Sequence, residues 1–330
     1  MHRERSISSR WGWSSIRAPA GDPDRAVEAG RTMTGKVMSA VEAAELIEDG
    51  DIVGVQGGPT QCAPMAIVRE IIRAGRKNLH AVTLSGGIAV DWLAAAGCLS
   101  ACTFAAVTME HFGLCRAFRR RVEAGSLAVE ELSETALFAR LGAAARGLPF
   151  LPTRTMFGTD LLTTGNGALK VMDDPFGGPP VVACRALPLD AAILHAHRAD
   201  RAGNVGIDAG PRYPTMTTMP RAARRVIVSV ERIVPTAELR KAPDRTILPG
   251  FAVDAVVEAP YGAHPTSLFP VYDYDRTFMA AWVGAAADDD TARAFLDANV
   301  HAPPSHAGYL RLVGGSDRLA ELEIGTAREH

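Results

Sequence analysis

Between residues 39 and 113 the chain alternates short apolar runs with amphipathic stretches, and a glycine-bearing turn closes each run. Ser39 and Glu42 form a capping-box pattern, with Val41, Ala44, Leu46 and Ile47 on one helical face and Gly50 as the expected C′ residue. Ile52–Val55 reads as a buried strand that stops at Gln56-Gly57-Gly58-Pro59-Thr60, and a helix is predicted from Ala63 to Ala74. The pattern then repeats. Leu79–Leu84 is a strand closed by Ser85-Gly86-Gly87, Ala89–Ala96 is helical, and Ala101–Val107 is a strand leading into Met109-Glu110-His111-Phe112-Gly113. Strands that alternate with helices predict an α/β fold: an open, mostly parallel sheet with helices on both faces. Such sheets bind ligands beyond the carboxyl ends of their strands, where all three turns fall.

The remaining chain extends the pattern without a tandem repeat. Ser133 caps a helix from Glu134 to Arg146 that stops at Gly147, and the prolines of Leu148–Pro152 demand extended backbone. Residues 156–180 are turn-rich and read as a surface excursion. Strand signals return at Val181–Ala186, Ala191–Ala196, Arg225–Val230 and Ala255–Val257, followed by helices at Thr277–Ala287 and Asp289–Ala298 and then a tail. Residues 1–32 carry no period and lack the apolar stretch of a signal peptide, so they read as a disordered N-terminal tail ahead of a domain spanning 33–330.

Composition narrows the function classes. Apolar residues make up 47% of the 330, enough for a large core, and no run reaches the 18 apolar residues of a membrane span. A net charge of −2 argues against nucleic-acid binding by bulk charge. Cys62, Cys98, Cys102, Cys115 and Cys184 are odd in number and irregular in spacing, so they predict free thiols in a cytoplasmic protein and neither a disulfide framework nor a zinc site.

Each motif carries a functional and a structural reading. Bare glycines at 57–58 and 86–87 let a ligand approach the backbone beside a helix N-terminus, or they are plain turn residues. Neither turn is a dinucleotide fingerprint or a P-loop. His195-Ala196-His197, with Asp200 beyond, would place two imidazoles on one strand face, but further ligands are missing, and a strand end entering the Asp200–Asn204 turn is the simpler reading; no metal is expected. Glu134 opens a helix, where it is a first-turn carboxylate or a base. Glu231 ends a strand and is read as structural. Arg116, Arg119, Arg120 and Arg121 form a basic cluster that reads as a solvated face, with contact to an acidic ligand as the alternative. No GxSxG elbow is present.

Taken in order, several segments resemble the alpha (A) subunit of family I coenzyme A-transferases, the glutaconate CoA-transferase type. They are Asp49–Gly58, Ala63-Pro64-Met65-Ala66, Glu131-Leu132-Ser133-Glu134, Gly147–Pro152, His195–Asp200 with Gly203-Asn204, Val228–Val234, and Glu258-Ala259-Pro260 with Gly262–Ser267. The resemblance covers roughly 40–290 and implies the NagB/RpiA-like version of the α/β fold. It also implies a heteromer with a beta subunit whose glutamate attacks an acyl-CoA thioester. CoA passes through a glutamyl thioester to a second carboxylate, with coenzyme A as substrate and no tightly bound cofactor. The beta-type Glu-Asn-Gly setting does not occur here, so the chain is expected to be inactive alone.

A neighbouring branch, the alpha subunit of the steroid-ring CoA hydrolase, shares Leu148–Pro152 and Ser229–Val234. It implies a catalytic role for Glu134, although this sequence has Ser-Glu-Thr where that branch is expected to have Asp-Glu-Gly. The resulting expectation is a transferase subunit whose acyl pocket is shaped by Gly57, Gly58, Pro59, Thr60, Ser85, Gly86, Gly87, Glu110, His111 and Phe112. The alternatives are a ring-opening hydrolase using Glu134, a non-catalytic subunit that stabilises its partner, and a sugar-phosphate isomerase of related fold.

Overall fold

The capping box forms: Ser39 Oγ accepts the Glu42 N–H, and the Glu42 carboxylate accepts the Ser39 N–H at 2.8 Å. It opens α1 (Ala40–Glu45), which ends well before Gly50; that glycine instead turns the chain at φ 85° into β1 (Ile52–Val55). In the computed structural model, residues 35–164, 167–208 and 213–324 are described. The tail expected over 1–32 lies outside them. The alternation continues through α2 (Met65–Arg73), β2 (Leu79–Gly86), α3 (Ile88–Ala95), β3 (Leu99–Val107), α4 (Arg116–Glu123), β4 (Ala128–Glu131) and α5 (Glu134–Ala144). Beyond α5 lie β5 (Phe150–Thr153), α6 (Leu161–Thr164), β6 (Leu169–Met172) and β7 (Val181–Arg185). Next come β8 (Leu189–Ala199), β9 (Val205–Gly206), α7 (Thr215–Ala222), β10 (Ala223–Ile233), α8 (Thr236–Leu239), β11 (Thr246–Leu248) and β12 (Ala255–Glu258). The chain closes with α9 (Arg276–Ala285), α10 (Asp289–Leu296), α11 (His306–Leu312) and α12 (Gly315–Ala320).

Seven strands pair in parallel in the order β12-β10-β8-β1-β2-β3-β4, and β9 with β11 attaches antiparallel to the end of β8. Their side chains alternate between two cores. Ala191, Ile193, Ile227, Ala255 and Val257 join Ile67, Trp92, Trp282 and Leu296 on one face. Ala192, Leu194, Val226, Val228 and Val256 join Leu137, Leu141, Met216 and Met219 on the other. Because both faces are covered, the central strands read as continuous apolar runs.

Three segments carry structure that the sequence did not announce. The excursion at 156–180 contains β6, which pairs antiparallel with β7 beside β5 in a separate three-stranded sheet, and its Leu169 is buried. The sequence Ala-Val-Glu-Glu does not announce a strand, yet β4 pairs with β3. Its Glu130 is buried because Arg140 of α5 lies 2.6 Å away and Thr103 donates to it at 2.9 Å. The expected C-terminal tail instead includes α11 and α12. Tyr309 is fully buried, Arg69 stacks 3.7 Å from its ring centroid, and Arg318 pairs with Asp275.

Candidate functional site

At the carboxyl edge of β1, β2 and β3, the three turns expected to form a crevice meet. Gly87 caps α3, and a Cβ added there would overlap the backbone of Pro59, so the 57–60 and 86–87 turns touch main chain to main chain. Only glycine permits that approach. Ser85 and Gly86 are the last residues of β2, paired with Ala106 and Val107 of β3. Thr60 Oγ1 donates to Glu110 Oε2 at 3.0 Å, which joins the first turn to the third.

Glu110 sits in the left-handed region at φ 52° and opens the 3₁₀ turn Glu110–Phe112. Cys62 and Tyr261 share that backbone strain at φ 53° and 52°, each in a segment following a parallel strand. Strained backbone of this kind clusters at functional sites. His111 and Phe112 pack with ring centroids 4.1 Å apart and planes tilted by 36°, and the Tyr274 ring centroid lies 5.8 Å from that of His111. The Arg276 guanidinium donates to the Tyr274 hydroxyl at 3.2 Å. Burial pushes the Cys62 thiol up to about 12, which favours the protonated thiol at neutral pH.

A second loop braces this edge. Ser267 N–H donates to Thr60 O at 2.8 Å, and Cys62 N–H donates to Ser267 O at 2.7 Å. Thr266 Oγ1 accepts the Ala63 N–H at 3.1 Å. Beneath the loop lies a buried polar group that sequence reasoning left apart. His195 and Ser229 are register partners on β8 and β10. His195 Nε2 donates to Glu231 Oε1 at 2.8 Å, since a carboxylate only accepts, and Nδ1 meets Ser229 Oγ at 2.8 Å. Tyr272 donates to the same Glu231 oxygen at 2.8 Å. Burial pushes the Glu231 pKa up, but the bonds from His195, the Tyr261 N–H and Tyr272 outweigh it and hold the carboxyl below its usual range. Tyr272 did not stand out in the sequence, and Ser267 entered only as the end of the Gly262–Ser267 segment. The available signal was that His195–Asp200, Val228–Val234 and Gly262–Ser267 all belong to the set of segments that carries the resemblance.

The two histidines of the pair have different partners. His197 Nε2 reaches the Phe269 carbonyl at 3.0 Å, whereas Asp200 accepts from Ala202 N–H, Asn204 N–H and Asn204 Nδ2 within its own turn. Among the described residues no set of three or more His, Cys, Asp or Glu side chains is placed to hold a metal ion. The basic cluster is only partly a solvated face. Arg120 bonds Ala286 O and Asp289, and Arg121 bonds Ala94 O and Ser126, so two of the four arginines tie α4 to its neighbours. Glu134 is the exposed first residue of α5, after Ser133, which accepts the Ala136 N–H. No helix of the described residues is long and apolar enough to cross a membrane.

Comparison with known proteins fits this geometry to a family. The coenzyme A transferase family model matches residues 37–259, from the entry to α1 through β12. The chain belongs to the coenzyme A transferase family. This CoA-transferase chain is 33% identical over 308 residues to the A subunit of glutaconate CoA-transferase from Acidaminococcus fermentans, covering 88% of this chain and 95% of that one. The crystal structure of that transferase superposes with a TM-score of 0.84 at 32% identity, over 88% of this chain and 96% of the other. An uncharacterised protein of Archaeoglobus fulgidus is 40% identical over 299 residues, and the match spans 88% of this chain but 65% of that longer relative. The cholesterol ring-cleaving hydrolase IpdA subunit of Mycobacterium tuberculosis is 34% identical over 257 residues, 74% of this chain and 86% of that protein.

Proposed function

We propose that the chain is the A-type subunit of a heteromeric CoA-transferase that moves CoA from an acyl-CoA to a carboxylic acid. The observation that carries this reading is the crevice edge joining Gly57–Thr60, Ser85–Gly87 and Glu110–Phe112, in a chain matching the A subunit of glutaconate CoA-transferase over nearly its whole length. The partner subunit supplies the nucleophilic glutamate. That carboxylate attacks the thioester carbonyl and an acyl anhydride forms as the CoA thiolate leaves. The thiolate then attacks the glutamyl carbonyl, expelling the donor acid as its carboxylate and leaving a glutamyl-CoA thioester, and the acceptor carboxylate reverses the two steps to take up CoA and free the glutamate. This chain shapes the acyl pocket; the Gly58, Glu110 and Phe112 N–H groups already donate to Gln61 O, Thr108 Oγ1 and Met109 O, so stabilising the thioester oxyanion falls to the remaining turn N–H groups. Coenzyme A thioester is substrate, and no resident cofactor is required. The five cysteines, all unpaired and buried, support a reducing cytoplasmic setting.

The test is co-expression with a B-type partner and an assay of CoA transfer to acetate, with and without this chain. Transfer is expected only from the pair, and full activity of the partner alone overturns the reading. The similarity to the IpdA subunit supports a second reading, a CoA-thioester ring-opening hydrolase with Glu134 as base. There, Glu134→Ala abolishes turnover while assembly survives; unchanged turnover removes it.

A further inference from the structure

The Glu231 carboxylate lies outside the crevice, yet its contacts tie it to the loop that braces the crevice. Oε2 accepts the Tyr261 N–H at 2.7 Å, and Oε1 accepts the Gly262 N–H at 3.3 Å beside the bonds from His195 and Tyr272. Gly262 lies close against the imidazole, since an added Cβ would stand 2.5 Å from His195 Cε1. The Tyr272 hydroxyl accepts the Ala263 N–H at 3.1 Å, and the Ala263 carbonyl accepts Thr266 Oγ1 at 2.7 Å. Thr266 and Ser267 then grip Thr60, Cys62 and Ala63 by the three bonds described above. A continuous chain of hydrogen bonds therefore runs from His195 of β8 and Glu231 of β10 to the turn after β1. Each group in it is buried or nearly so, and losing one leaves its partners unsatisfied.

We propose that Glu231 is a positioning residue that fixes the Thr60 turn of the acyl crevice through the 261–267 loop. The proposal rests on reading that turn as part of the acyl pocket. The carboxylate touches no substrate. It holds Tyr261 in its left-handed conformation and keeps Ser267 in register with Thr60, so the turn is rigid before the thioester arrives.

The experiment uses the complex with the partner subunit, bearing Glu231→Ala, Glu231→Gln or the milder Tyr272→Phe. Hydrogen–deuterium exchange is followed for peptides covering 57–63 and 259–268, with 79–84 of β2 as reference. In Glu231→Ala, exchange is expected to rise about tenfold in both loops and not in β2. The kcat for CoA transfer should fall by about 10- to 100-fold, as for a misplaced reacting group, with KM within about twofold. Glu231→Gln should restore part of both effects, and Tyr272→Phe should fall between. Unchanged exchange at 57–63 while 259–268 loosens overturns the proposal. So does a uniform rise that includes β2, because the carboxylate would then serve general stability alone. If Glu231→Ala fails to fold, Tyr272→Phe decides by the same peptides. If the wild-type complex moves no CoA, the functional reading falls while the exchange data still decide the coupling.

Discussion

Gly87 and His80 show how single positions report on two different properties of the molecule. At Gly87, any side chain meets the Pro59 backbone, which cannot move aside as a flexible side chain would. Gly87→Ala is expected to separate the first two turns, to cost about 1–3 kcal/mol as an overpacked contact, and to lower transfer activity of the complex. Urea unfolding and a steady-state assay measure the two effects. His80 is buried against Thr103 at 2.8 Å, and burial lowers its pKa from 6.5 to about 4, with Glu130 opposing and Arg140 adding to the shift. The folded pKa lies below the unfolded value, so the unfolded chain binds the proton first. Stability is therefore fully present above pH 6.5 and is lost as pH falls toward about 4. Asp91 acts in the opposite sense, its carboxyl raised to about 6 by burial, so the isolated His80 contribution is read from a variant. His80→Gln should flatten the pH dependence between 6.5 and 4 by up to about 1.4 kcal/mol per pH unit, measured by urea unfolding at stepped pH.

At the scale of elements, buried polar ties decide which helices stay docked. Arg140 of α5 and Glu130 of β4 pair with side chains 3% and 1% exposed. Arg140→Met leaves a buried carboxylate without its cation and is expected to cost about 3–5 kcal/mol. Adding Glu130→Leu should recover most of that loss, because the pair contributes little beyond an apolar contact of similar size. Paired denaturation curves test both variants. On the opposite face, α9 is held by Trp282, which is fully buried, stacks edge-on to Trp92 at 5.8 Å and donates to Asp91 at 2.9 Å. Asp91 also accepts the Phe118 N–H at 2.8 Å, so one carboxylate joins α3, α4 and α9. Trp282→Ala is expected to cost about 3–5 kcal/mol and to loosen α4 and α9 together, visible as joint loss of amide protection.

For the whole molecule, the sheet gathers its turns on one edge and leaves the opposite, amino-terminal edge to structural polar contacts such as the Asp51–Arg225 ion pair at 2.7 Å. An edge built from turns of separate strands presents a surface that a second protein chain can complete. CoA transfer is therefore expected to need both chains, and titrating this chain into a fixed amount of partner should raise activity until the two are matched. A flat response would show that the crevice does not contribute.

Local order was legible in the sequence. Periodicity, caps and glycine turns are properties of neighbouring residues, so the βα alternation, the two covered faces and the edge that carries the turns followed from Ser39, Gly57, Gly87 and the apolar runs between them. Ala128–Glu131 escaped because its burial depends on Arg140, a residue on another element. The C-terminal helices escaped because their anchors, Arg69 and Asp275, lie elsewhere in the chain. Tertiary structure alone decided which turns touch and which polar groups pair. Parallel strands adjacent in space are separated in sequence by whole helices, so nothing local joins Thr60 to Glu110, or His195 to Glu231.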